Sequence, residues 1–283
     1  MYKTLTVQAI IKYIEDNIEV RHIDIESIVC FSGYSRRYLQ IIFKEYVGIP
    51  IGRYIQLRRV SRAAVLLRLT SLTLANISEK LCYDSQQTFT REFKKHTGYT
   101  PLQYRNSEIW TFRNLTGRKD FVAGIPAPDI LHLEEMEFHG SSLSYDENIP
   151  YIGFNSHKKI NFINKYFSQS NQSPIYASHD VHASSRNKIR INFLFSIKKE
   201  HSCQFTWKLN AGMYAHFSFK GSIHDYINYI NNVYMNVLPF YGLQKKNTYD
   251  LEIISKDING SYSFEYYLPI TERRPVRNSD SSR

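Results

Sequence analysis

Cysteine is scarce: the 283 residues contain three, Cys30, Cys82 and Cys203. An odd number with no Cys-x-x-Cys pair excludes a disulfide framework and a thiolate zinc site. Cys30 and Cys82 stand among apolar residues and are expected as small core side chains. Long apolar runs are also missing. None approaches the ~18 residues of a membrane span, and the first residues read as an amphipathic helix rather than a signal peptide. A reducing, cytoplasmic setting and no membrane partner are the expectation. No Gly-x-Ser-x-Gly, His-Glu-x-x-His or phosphate-binding loop is present, so the motif-borne hydrolase and nucleotide chemistries are not indicated. The ten histidines show no ligand spacing, and His157, His179 and His182 read as surface residues of polar stretches. No catalytic residue, metal site or cofactor is expected.

Positive charge is what the chain has in surplus, +10 in formal net charge. Residues 1–119 hold 19 Lys/Arg against 10 Asp/Glu, whereas the remainder holds 17 against 16. A polyanionic partner is therefore assigned to the N-terminal part. The length fits two domains of ~100–200 residues each. Aromatics are plentiful, Tyr 22 and Phe 17, which suits a packed β-domain or an aromatic pocket equally.

The N-terminal part repeats itself. Ile10, Ile11, Ile14 and Ile18 recur at helical spacing. A short helix over roughly 25–30 ends near Gly33, and another begins after Ser35 as N-cap. Helix, Gly-containing turn, helix is the helix-turn-helix pattern. About fifty residues later it returns: Tyr34-Ser35 matches Tyr83-Asp84-Ser85, Phe43-Lys44 matches Phe93-Lys94, Gly48 matches Gly98, Pro50 falls near Pro101 and Tyr54 matches Tyr104. So many special positions at one offset define two tandem units. Between them, IPIGRYIQLRRVSRAAVLLRLT reads as one long helix. Its ~20 residues would span ~30 Å, close to one ~34 Å turn of B-DNA.

In the first unit Leu39, Ile42 and Phe43 face inward and leave Arg36, Arg37, Gln40, Ile41 and Lys44 outside. In the second, Phe89 and Phe93 face inward and leave Gln86, Gln87, Thr90, Arg91 and Lys94. Arginine pairs bidentately with guanine, glutamine with adenine, and a threonine methyl meets the thymine methyl, so these are side chains that read a major groove. Arg53, Arg58, Arg59, Arg62, Lys80 and Lys95 are candidates for neutralising phosphates.

SQQTFTREFKKHTGYTPLQYR, with GYSRRYLQIIFK and the long-helix sequence, resembles the AraC/XylS family of transcription regulators, in its MarA/SoxS/Rob subgroup. The resemblance covers about residues 5–108. It implies two recognition helices in adjacent major-groove segments of an asymmetric promoter site, with Gln40, Gln86, Gln87 and Arg91 at contact positions. It further implies a monomer on double-stranded promoter DNA, activation, and RNA polymerase as partner. Arg37 stands where the subgroup carries tryptophan and Ile41 where it carries arginine, so a shifted or relaxed preference in the first half-site is expected.

The remaining half contains strand-like stretches ILHLEEMEFHG, IRINFLFSIK, MYAHFSFKG and SFEYYLPI, with helices at 161–169 and 222–238, the latter striped by Ile223, Tyr226, Ile227, Ile230, Val233 and Tyr234. This is an α+β pattern. LNAGMYAHFSFKG, TYDLEI and FEYYLPI resemble the GyrI-like effector-binding domain. That resemblance implies an aromatic pocket with a carboxylate for a small apolar or cationic effector. Glu252 and Glu265 are the matching carboxylates, with Tyr214, Phe217, Phe264 and Tyr266 as walls, although strand alternation turns Glu265 away from Phe264 and Tyr266. The expected protein is multidomain: an all-α domain at 1–110, a linker at 111–124, and an α+β GyrI-like domain at 125–283.

Overall fold

The computed structural model describes residues 2–119, 127–148, 157–169, 173–185, 188–197, 205–257 and 259–271. Cys203 lies outside them, as do residues 120–124 of the expected linker and the side chain of Ile227.

Helix α1 (Tyr2–Asn17) buries Val7, Ile10, Ile11 and Ile14. Helix α2 (Ile25–Ser32) is capped by Asp24, which accepts from the Ser27 amide, and stops at Gly33 with φ +71°. Helix α3 (Arg36–Val47) runs from an N-cap at Ser35 to a left-handed Gly48. Helix α5 (Leu74–Lys80) and helix α6 (Gln86–Thr97) repeat the arrangement, with Ser85 as N-cap and a left-handed Gly98 as stop. The sequence repeat is thus a repeat of capping chemistry. Helix α7 (Pro101–Asn106) closes the series with a Thr100–Gln103 capping box.

One turn departs from its twin. The place of Gly33 is taken in the second unit by Cys82, at φ +55°. Cys82 is therefore a half-buried turn residue, not a core side chain, and Cys30 is exposed on α2. Cys30 lies on the face of α2 away from the buried Ile28, and Cys82 lies in the turn beyond α5, so local composition misled.

Helix α4 (Ile51–Leu69) is shared by two cores. Its first half gives Ile51, Tyr54 and Ile55 to a cluster with α1, α2 and α3. Its second half gives Val60, Ala63, Ala64, Val65, Leu66 and Leu67 to another, with Phe89, Phe93 and Tyr104 of the second unit. That second cluster continues into the C-terminal domain through Ile189, Ala215, Phe217, Val233, Leu238, Tyr266 and Leu268.

The segment expected as a linker is where the halves join. Strand β1 (Ile109–Thr111) pairs with β8 (Gln244–Lys246). Trp110, Phe112 and Leu115 are buried, and the Thr116 amide donates to Ser61 Oγ of α4 at 2.8 Å. Three large apolar side chains within six residues drive this packing; the Gly, Arg and Lys content around them obscured it.

The C-terminal domain is built on an eight-stranded antiparallel sheet of order β2-β7-β10-β9-β4-β5-β3-β6. The strands are β2 (Asp129–Leu133), β3 (Met136–Asn148), β4 (Ile175–Ser185), β5 (Lys188–Ser196), β6 (Phe205–Leu209), β7 (Gly212–Gly221), β9 (Leu251–Lys256) and β10 (Tyr262–Pro269). The ILHLEEMEFHG stretch is two strands, broken at Glu134-Glu135. That link and Asn210-Ala211 each tie strands near opposite ends of the order. Three residue steps reach at most ~11 Å, so the sheet curls until its ends meet. The curl encloses Leu209, Tyr214 and Leu251. The other face carries helices α8 (His157–Ser168) and α9 (Ile223–Asn232), which bury Ile163, Phe167, Ile223 and Tyr226 against Phe193, Ile254 and Phe264. After α9 the chain makes a π-helical turn (Val233–Val237) before α10 (Leu238–Tyr241), so the expected single helix is interrupted.

Candidate nucleic-acid interface and ligand centre

Leu39, Ile42 and Phe43 are buried beneath α3, and Phe89 and Phe93 beneath α6. Helical periodicity then leaves Arg36, Arg37, Gln40, Ile41 and Lys44 of α3 exposed. Gln86, Gln87, Arg91 and Lys94 of α6 are exposed as well, and Thr90 is half-buried. Ile41 is 47 % exposed, an apolar side chain held out to solvent between Gln40 and the inward Ile42. Arg36 is engaged already, in an exposed ion pair with Glu26 of α2.

The candidates for phosphate contact divide. Arg58 is buried and grips Glu15 of α1 with two bonds, Nε to Oε1 at 2.7 Å and Nη2 to Oε2 at 2.9 Å, and also reaches the Thr116 carbonyl. Arg62 pairs with Glu19, which Lys80 also contacts at 2.9 Å. Arg58 and Arg62 tie the α1 segment to the long helix, and Lys80 of α5 joins the second pair. Arg59 faces a 410 Å³ cleft between the two units, lined in part by Ile23, Ile55, Tyr83 and Glu92. Arg53 lies 3.1 Å from His96 Nε2, and burial followed by this guanidinium pushes the imidazole below its ordinary value. Lys95 is exposed.

In the C-terminal domain the six candidate ligand residues do not meet in one pocket, and Phe264 is core beneath the helices. Tyr266 is in register with Phe217 on one side and Glu252 on the other, so these three share the helix-covered face. Glu265 points to the opposite face, 2.6 Å from His216 Nε2, and accepts from Ser218 Oγ at 3.1 Å. Tyr214 is buried inside the curl on that same side, donating to the Asn210 carbonyl at 2.7 Å. Burial, with the Asp250 carboxylate nearby, pushes its hydroxyl up to about 12.

Around Glu252 is a buried polar chain that sequence reading missed. Lys159 Nζ of α8 donates to both carboxylate oxygens, at 2.7 and 2.9 Å, and lies 3.0 Å from His179 Nε2. An ammonium has no lone pair. His179 Nε2 is therefore the acceptor, and the ring proton on Nδ1 is left to Asp250, 3.2 Å away. Asp250 accepts from the Tyr266 hydroxyl at 2.6 Å, which is 2.7 Å from the Tyr234 hydroxyl. Burial alone would raise the Asp250 carboxyl; the His179 ring, the Tyr266 hydroxyl and Lys245 outweigh it and hold it far below the usual carboxylate range. Tyr234 packs at 6.1 Å from Trp110, over which Arg68 of α4 sits at 5.8 Å. A contiguous path thus leads from Glu252 to the long helix. His179, expected at the surface, is a hub of this chain. His and Lys in a polar stretch carry no local sign of a carboxylate more than seventy residues away; the Asp-Leu-Glu alternation at 250–252 was the one available hint.

The double helix-turn-helix array and the attached curled sheet define a two-domain DNA-binding transcription regulator. A helix-turn-helix domain model matches residues 31–107, and a GyrI-like small molecule binding domain model matches residues 126–271. The chain belongs to the AraC-type regulators that carry a GyrI-like domain. It is 42 % identical over 271 residues to the F1 operon positive regulatory protein of Yersinia pestis, covering 95 % of this chain and 89 % of that one. It is 28 % identical over 243 residues to the transcriptional regulator Rob of Salmonella typhimurium, covering 81 % and 83 %. Its identity to the right origin-binding protein of Escherichia coli is 27 % over the same length and the same shares. No helix among the described residues is long and apolar enough to cross a membrane.

Proposed function

We propose that the chain is a sequence-specific activator of the cytoplasm that binds asymmetric promoter sites as a monomer, placing α3 and α6 in successive major-groove segments and engaging RNA polymerase there. It is a regulator and not an enzyme. The observation that carries this reading is the pair of solvent-facing sets, Arg37, Gln40, Ile41 and Lys44 on α3 and Gln86, Gln87, Arg91 and Lys94 on α6, on N-capped helices held by one helix. Two units on one chain do the work of a dimer. The curled domain is the regulatory module, with the Glu252 centre as its receptor for a small molecule.

Selection of sites from random duplex DNA by the full chain tests this. The expected product is a site of ~20 base pairs with two readable segments about one turn apart. Gln40→Ala relaxes one segment and Arg91→Ala the other. The first segment is the less stringent, because Ile41 offers no base hydrogen bond, and a bidentate contact is worth ~1–3 kcal/mol. Steeply salt-dependent binding with no enriched sequence would overturn the reading.

A further inference from the structure

The groups that recognise an ammonium ion converge on Lys159. Glu252 presents both carboxylate oxygens, at 2.7 and 2.9 Å, and His179 presents a ring nitrogen at 3.0 Å. Those three acceptors match the three N–H bonds of an ammonium. Two ring faces flank it, Phe193 at 5.2 Å and Tyr226 at 5.9 Å from Nζ, within the ~6 Å reach of a cation–π contact. Glu252 is 1 % exposed and Lys159 8 %. A buried pair of this sort adds little net stability over apolar filling, since desolvation offsets the Coulomb gain. It lies in a buried polar chain beside Phe193, Ile254 and Phe264, and the match of three acceptors to one ammonium is the geometry of a recognition site.

We infer that Lys159 is an intramolecular ligand: its ammonium fills an alkylammonium-binding site on the helix-covered face of the sheet. The second domain therefore rests in its occupied form, and an external ammonium enters only by displacing Lys159. The Glu252 charge is neutralised from within, so an incoming cation meets an occupied, neutral site. This inference rests on the reading of the second domain as a small-molecule module.

The test uses the full chain with Lys159→Ala, which removes three carbons and the ammonium, the heavy atoms of n-propylammonium. Truncation leaves the buried Glu252 without its ammonium partner and lowers Tm by roughly 10 °C. Millimolar propylammonium restores at least half of that loss, whereas sodium chloride of equal ionic strength and neutral 1-propanol do not. Lys159→Ala/Glu252→Gln does not respond to propylammonium, and the wild-type Tm does not move. A folded Lys159→Ala that ignores propylammonium overturns the inference. So does a wild-type chain shifted as much as the variant, because the site would then be open with Lys159 in place. If Lys159→Ala does not fold, it is refolded from urea with and without propylammonium. Recovery confined to the propylammonium samples supports the inference, and equal recovery overturns it. Affinity for the selected DNA site is read on the same samples. Failed rescue with unchanged DNA affinity sinks the ligand role alone. Rescue that never alters DNA affinity sinks the regulatory reading and leaves the ligand role standing.

Discussion

At the scale of single residues, two buried charges decide most. Arg58 and Glu15 are each about 4 % exposed in their side chains, and Arg58 donates to that carboxylate from Nε and Nη2 while Nη1 goes to the Thr116 carbonyl. Removing one member of such a pair leaves a bare buried charge at a cost of about 3–5 kcal/mol. Arg58→Ala is therefore expected to lower the urea midpoint by that equivalent. The salt slope of DNA binding should not change, whereas loss of a phosphate contact would reduce it by about one unit. Asp250 supplies a pH signature. Its folded value lies below the ordinary carboxylate value, so its contribution is complete above that value and is lost as pH falls from the ordinary value toward the folded one. Tm measured from about pH 5 downward should fall steeply in the wild type and less steeply in Asp250→Asn, which starts from a lower plateau. Parallel curves would assign the acid sensitivity to other carboxylates.

At the scale of elements, the two helix-turn-helix units test each other. Each spends a serine on the N-cap and a glycine on the stop of its second helix, but only the first has glycine in its turn. Cys82 takes the left-handed conformation there at φ +55°. A side chain in that region costs of order 1 kcal/mol or more, partly offset by the entropy that glycine loses on folding. Cys82→Gly is expected to stabilise the protein by about 0.5–1 kcal/mol in urea unfolding. Gly33→Ala is expected to destabilise it by a similar amount, with open space around its Cβ leaving backbone strain as the cost. A stabilising Gly33→Ala would contradict the equivalence of the turns.

At the scale of the whole molecule, α4 is a hinge bar between unequal partners. The first unit keeps a core of its own, while the second unit shares one with the curled sheet. Leu268 is fully buried in that shared core, although it belongs to the C-terminal domain. Leu268→Ala should cost about 2–5 kcal/mol. Amide exchange is the reporter: protection should drop in α5, α6 and β10 and hold in α1, α2 and α3. Equal loss in both units would mean that the DNA-binding half opens as one body. Contact between sheet and second unit also gives a physical route by which the Glu252 centre could bear on α6 more than on α3, through Tyr266, Tyr234 and Trp110.

The chain alone determined the helix-turn-helix repeat with its serine caps and glycine stops, because these are local signals set within one or two turns. The exposed faces of α3 and α6 followed from the same periodicity, since an exposed helix face is whatever the inward Leu39, Phe43, Phe89 and Phe93 leave over. In the second half, several of the strands and the opposition of Glu265 to Tyr266 were legible from alternation, whereas β4 and β6 were not. The split at Glu134-Glu135, the packing of Trp110 and Phe112 where a linker was expected, and the Lys159–Glu252–His179 cluster were not. Those depend on which strands neighbour one another. Lys159 and Glu252 are 93 positions apart, and only the order of an eight-stranded sheet, closed by its helices, brings one charge to the other.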